Sequence, residues 1–161
     1  MLSASIATTG TSTALRTGFE SSAASSLIEV SFDKVNHILV VNWEGELSSD
    51  EIRKGYDILM EEVRIHKPKK LLLDLHNRGT IRRSDQRWVF STVFPNILRT
   101  IGETVFVAIV LPVSLYFGLV GEMDGDELMH ENNFLIIHHA LYQEEAYRWL
   151  NTIYVSSTNL A

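Results

Sequence analysis

The chain contains no cysteine, which removes disulfides, thiol catalysis, iron–sulfur ligation and zinc ribbons in one step. Positive charge is also scarce: 14 Lys and Arg stand against 20 Asp and Glu, for a net charge of −6. Phosphate backbones are held by clustered Lys and Arg, so nucleic acid is not an expected partner. The one basic run, Lys67-Pro68-Lys69-Lys70, reads as a solvated turn between two elements. No apolar run is long enough to span a bilayer. Met1 to Ser26 lacks both the charged start and the continuous apolar stretch of a secretion signal, so the cytoplasm is the expected compartment. Prolines number only three, and each falls where an element should stop or bend.

What is present is an ordinary globular balance, 45% apolar and 21% charged over 161 residues. That length suits one domain, which needs no metal or disulfide staple to be stable. Residues 1–26 are rich in Ser, Thr and Ala and read as a flexible tail. Residues 27–153 form the expected domain, and 154–161 a short C-terminal tail.

Leu27 to Phe32 alternates as a strand, Asp33-Lys34-Val35-Asn36 supplies a turn, and His37 to Trp43 returns, predicting an antiparallel hairpin. Ser48 with Glu51 has capping-box spacing, and Ile52, Tyr56, Leu59 and Val63 recur on one helical face until Pro68. Leu71 to Leu75 is too short and too apolar for anything but a strand covered on both faces. A polar loop, His76 to Arg83, leads to a second helix capped by Ser84 or Asp85 and stopped by Gly102, with Pro95 predicting a kink or a restart. Thr104 to Leu111 is the most hydrophobic strand. Val113 to Val120 reads as a short apolar helix and Gly121 to Asn133 as an acidic loop. Phe134 to His138 is the last strand and Glu144 to Ile153 the closing helix. Alternating helix and strand implies an α/β fold with parallel pairing.

The combination Trp43-Glu44-Gly45, Leu71 to Leu75, Ser84-Asp85-Gln86-Arg87-Trp88, Phe94-Pro95 and Glu145-Ala146-Tyr147-Arg148-Trp149-Leu150 resembles the SpoIIAA-like, STAS-type family of small bacterial proteins. The resemblance spans about residues 27–151. It implies a SpoIIAA-like (STAS-like) fold: a mixed sheet of four or five strands, opened by the antiparallel hairpin, with helices packed on it. It implies little chemistry. By alignment of the strands Ser84 falls near the serine that anti-anti-sigma members phosphorylate. Its neighbours Arg82, Arg83, Asp85 and Gln86 replace their Asp-Ser-Ser-Gly segment, so the sigma-factor switch is not expected.

Asp74, His76, Arg78 and Asp85 are placed around the carboxyl end of a central strand, where open α/β sheets hold ligands. An acid, a potential base and a cation in one loop can bind a small anion or move a proton. With Ser84 and Trp88 they make up the candidate ligand site, without a nucleophile elbow or phosphate loop beside them. Glu122, Asp124, Asp126, Glu127, His130 and Glu131 are the densest acidic cluster. The sixth place of a calcium loop counted from Glu122 is Glu127, not glycine, and no second histidine sits at zinc-binding helical spacing. His138 and His139, adjacent on a strand, point to opposite faces.

No metal or cofactor is therefore expected. The expected function is a non-enzymatic, STAS-like protein-interaction module. Homodimerisation is expected through the second helix, whose apolar rows Val89, Val93, Ile97 and Phe90, Phe94, Leu98, Ile101 exceed one core stripe. The alternative is a small-molecule or lipid-binding domain with an apolar pocket between that helix and the sheet.

Overall fold

The computed structural model describes residues 12–19, 26–115 and 127–153. Seven strands form one mixed sheet: β1 (Ser12–Phe19), β2 (Ser26–Asp33), β3 (Ile38–Gly45), β4 (Lys70–Arg78), β5 (Val105–Val110), β6 (Glu127–His130) and β7 (Asn133–Ala140). Their order across the sheet is β1-β2-β3-β4-β5-β7-β6. The inner four, β3-β4-β5-β7, run parallel and in chain order, while antiparallel pairs β1–β2–β3 and β7–β6 extend the sheet on either side.

The α/β class is as expected, but the sheet is larger than the four or five strands read from sequence. Both additional strands lie at edges. β1 lies inside the segment expected to be a tail, and β6 inside the stretch expected to be an acidic loop. Edge strands need only one pairing partner and no two-sided apolar run, so neither carried a strong strand signature. Residues 1–11, 20–25 and 154–161 of the expected tails lie outside the described residues. So do most of the short apolar helix expected at Val113 to Val120 and the acids Glu122, Asp124 and Asp126. Among the described residues no helix is long and apolar enough to cross a membrane.

Helix α1 (Ser49–His66) starts on the expected capping box, in which the Ser48 hydroxyl accepts from the Glu51 amide while the Glu51 carboxylate accepts from the Ser48 amide. It ends at Lys67, held in the left-handed region at φ 45° ahead of Pro68. The second helix is not one kinked rod. It runs as α2 (Arg83–Trp88), a π-helical turn at Val89–Val93 and α3 (Phe94–Ile101). Pro95 has no N–H to give, and in the turn just before it the Phe94 amide reaches back to the Val89 carbonyl. The widened turn leads into a helix that restarts at Phe94 with Pro95 in its first turn, the second of the two outcomes expected there. The last helix is α4 (Gln143–Thr152).

Strand alternation divides the core in two. Leu39, Val41, Leu71, Leu73, Val107 and Leu135 face α1, α2 and α3 in the main cluster. Ile38, Val40, Leu72, Ala108 and Val110 face α4 alone, meeting Ala146 and Leu150. Both apolar rows of the second helix are consumed inside the monomer: Val89, Val93, Phe94, Ile97, Leu98 and Ile101 are buried, and Phe90 packs half-buried beside them. With both rows packed in the core, they leave no surplus apolar patch among the described residues for the expected homodimer contact.

Candidate functional site

The expected cluster at the end of β4 is split between the two faces of the sheet. β3 and β4 pair in register as far as Asn42 and Asp74, and then the ladder slips so that Glu44 pairs with Asn77. One extra residue in β4 reverses the alternation beyond it. Asp74 and His76 therefore stay on the α4 side, while Arg78 turns to the α1 side with Asp85 and Trp88.

On the α4 side, the buried Asp74 carboxylate is held from three directions. Its Oδ1 accepts the His76 amide at 3.2 Å and lies 2.7 Å from His76 Nδ1, and Oδ2 accepts from Gln143 Nε2 at 3.2 Å. The same Gln143 amide donates to Asn42 Oδ1 at 3.0 Å. Asp74 thus fixes the tautomer and tilt of His76, whose ring is 49% exposed and turns Nε2 outward. The pair lines an open cleft of about 480 Å³ with Pro112, Val113, Tyr142 and Glu144. Among the described residues no Ser or Thr hydroxyl and no Lys or Arg lines the cleft beside His76.

On the α1 side, cations and aromatic rings alternate. The Arg78 guanidinium lies 4.6 Å from the centroid of Trp43 and 5.9 Å from that of Tyr56, whose hydroxyl accepts from Nη1 at a long 3.4 Å. Tyr56 stands edge-on to Trp43 at 5.0 Å and to Trp88 at 6.0 Å, and Arg53 covers Trp88 at 4.4 Å. Each such contact stabilises by roughly 0.5–1.5 kcal/mol. Asp85 is only 3% exposed. It accepts from Ser49 Oγ at 2.7 Å and sits 3.9 Å from Arg53 Nη2, so it ties the start of α2 to the start of α1. It was expected as a helix cap. The cap is instead Arg82, which makes no side-chain cap bond, and Ser84 lies exposed in the first helical turn. The indole Nε1 of Trp43 is a buried donor with no acceptor. That ring is held through its face.

Between this cluster and the sheet lies a cavity of about 60 Å³. Leu73 and Ile109 form its floor, Val89, Phe90 and Phe94 from the π turn and its flanks form its roof, and Arg78, Gln86, Tyr56 and His139 bring polar atoms to it. Alternation along β7 explains His139: it shares the helix-covered face with Leu135 and Ile137 and is buried. His138 goes the other way and stacks on Trp149 at 4.7 Å. Of the groups at these two sites, Tyr56, Gln143 and His139 were not among the sequence candidates. Tyr56 was readable as core, and the strand period gave the face of His139. Gln143 meets Asp74 across 69 residues of chain, which no local pattern encodes.

Among the described residues no group of three or more His, Asp and Glu side chains is placed to hold a metal ion. No protein-family model matches the chain, and no curated protein matches it significantly.

Proposed function

We propose that this chain is a cytoplasmic, non-enzymatic STAS-like module that works by binding, holding a small apolar ligand between its second helix and its sheet. The consecutive parallel order β3-β4-β5-β7, with α1 to α3 on one face, supports the STAS-like frame. Fold does not name a function, so the binding reading rests on the site. The observation that supports it is the apolar cavity beneath the π turn, which at about 60 Å³ is smaller than the several hundred cubic ångströms a full-sized ligand pocket would have. Its size selects the ligand. A water-sized group needs roughly 10–15 Å³ of such space, so the cavity admits an apolar body of about four or five such groups rather than a long lipid chain.

The test is titration of the isotope-labelled protein with 1-pentanol as a generic apolar probe, followed by amide and methyl shift mapping. Shifts are expected at Leu73, Val89, Phe90, Phe94 and Ile109. Saturable shifts elsewhere, or none with this probe and with its other short-chain analogues at millimolar concentration, would remove the ligand-binding reading.

A second reading, contact with a protein partner or a second copy of this chain, is favoured by a different surface. Met129 and Phe134 are cross-strand neighbours on β6 and β7, exposed by 65% and 37%. They stand on the side of the sheet where, among the described residues, α4 alone packs.

A further inference from the structure

We infer that the ligand of the cavity under the π turn is a short monocarboxylic acid, its tail enclosed by the apolar walls and its carboxylate taken by Arg78. This rests on the ligand-binding reading above and names the chemistry of that site.

Two arginines of the α1 side stack on aromatic rings, and they differ in one respect. Arg53 over Trp88 has the Asp85 carboxylate at its edge. Arg78 over Trp43 has none: among the described residues its one polar partner is the Tyr56 hydroxyl, at the long limit of a hydrogen bond. Stacking occupies the face of a guanidinium, whereas its five N–H donors lie in the plane. The edge of Arg78 is therefore held in place by Trp43 and Tyr56 and left with donors to give.

Arg78 is one of the residues that line the cavity. The planar fork matches a carboxylate bidentately, and a neutral ligand would leave those donors as they are. Gln86 and Tyr56 line the same wall and can donate to a second oxygen. Two further cations, Arg82 and Arg83, follow within five residues, and the Glu46 carboxylate packs over Gly79, the residue after Arg78, without an ion pair to Arg78 among the described residues. Apart from the buried His139, the remaining walls are Leu, Ile, Val and Phe side chains, which suit an unbranched or once-branched alkyl tail and do not suit a sugar or a polyphosphate. The π turn is what leaves room for the tail, since it carries Val89 and Phe90 over the floor in a wider arc than a regular helix would.

The experiment compares pentanoate with 1-pentanol, two probes of nearly equal length, by calorimetric or shift titration at neutral pH. Wild type is expected to bind pentanoate about ten- to hundredfold more tightly, the range of a charge-assisted hydrogen-bonded pair. Arg78→Gln should bring that ratio close to one, and Arg78→Lys, which keeps the charge but not the fork, should restore part of it. Near-ultraviolet circular dichroism confirms that each variant is folded; if Arg78→Gln is not, the Arg78→Lys ratio alone decides. Pentanol bound in the cavity with no preference for pentanoate would overturn the carboxylate assignment and leave the ligand-binding reading standing. Binding of neither probe would overturn both. A preference for pentanoate that survives in both variants would place the carboxylate somewhere other than Arg78.

Discussion

At the scale of single residues, the α1 side of the sheet depends on an absence. Gly55 faces the benzo ring of Trp43 so closely that a Cβ on it would collide with Cζ2 and Cη2. Glycine in the middle of a helix costs about 1 kcal/mol relative to alanine, and α1 accepts that cost to seat the indole under Arg78. In an open helix Gly→Ala stabilises. Here overpacking against a ring that is 2% exposed should cost about 1–3 kcal/mol and outweigh the propensity gain. Gly55→Ala is expected to lower the melting temperature by a few degrees, since about 1 kcal/mol corresponds to roughly 2–4 °C in a domain of this size. Adding Trp43→Leu should relieve the clash, so that the alanine is less harmful in the double variant than alone. A rise in melting temperature for Gly55→Ala by itself would show that the indole is not seated against this turn.

At the scale of elements, α4 is tied to the start of the β2–β3 turn by one hydrogen bond. Tyr147 donates from its hydroxyl to Asp33 Oδ2 at 3.2 Å. Asp33 also accepts from the Val35 and Asn36 amides and the Asn36 side chain, which fixes the turn. Burial pulls the Asp33 carboxyl upward, but the donors from Asn36, Tyr147 and Val35 outweigh it and hold the group below its ordinary value. Burial, and then the Asp33 charge and hydrogen bond, push the Tyr147 phenol up to about 12. The sign follows from proton counting. From an unfolded value of about 10 up to about 12 the native state keeps a proton that the unfolded state has released, so stability falls as pH rises through that window. Tyr147→Phe is expected to flatten this alkaline limb in urea midpoints measured across it, at some loss of stability near neutrality. An unchanged slope would mean that the phenol does not report on folding.

Elements differ in how far the sequence determined them. The capping box of α1 and its apolar row were both legible, because cap and stripe are local and agree. The second helix was legible in extent and in its restart at Pro95, but not in the π turn before it: a kink and a widened turn answer the same missing hydrogen bond, and only packing chooses between them. The candidate site was half legible. Asp74 and His76 do meet, two residues apart on one face. Arg78 was grouped with them as part of one polar loop, but β4 continues through it and the slip in the β3–β4 ladder sends it to the other side. Such a slip is set by pairing with a distant strand, so no reading of β4 alone could place Arg78 over Trp43.

At the scale of the whole molecule the sheet has two edges, and β1 closes one of them. Eight residues of β1 pair in unbroken antiparallel register with β2. Ordering them costs about 1–2 kcal/mol of backbone entropy each, and each ladder bond returns a net of about 1 kcal/mol, so the strand adds little to stability by pairing alone. Its effect is on the edge beneath. Without it, β2 would present an eight-residue edge with no proline and no lysine, whose neighbour on the other side is the buried β3. Such edges pair with other copies unless they are covered. Deletion of residues 1–24 is therefore expected to lower the melting temperature by only a few degrees and to raise self-association relative to the full chain. Sedimentation equilibrium on both proteins across the micromolar range measures it, and the full chain serves as the test of the homodimer in its own right. A truncated protein that associates no more than the full chain would show that β1 does not guard the edge. A truncated protein that fails to fold would show that β1 belongs to the cooperative unit, its side chains contributing what backbone pairing alone does not.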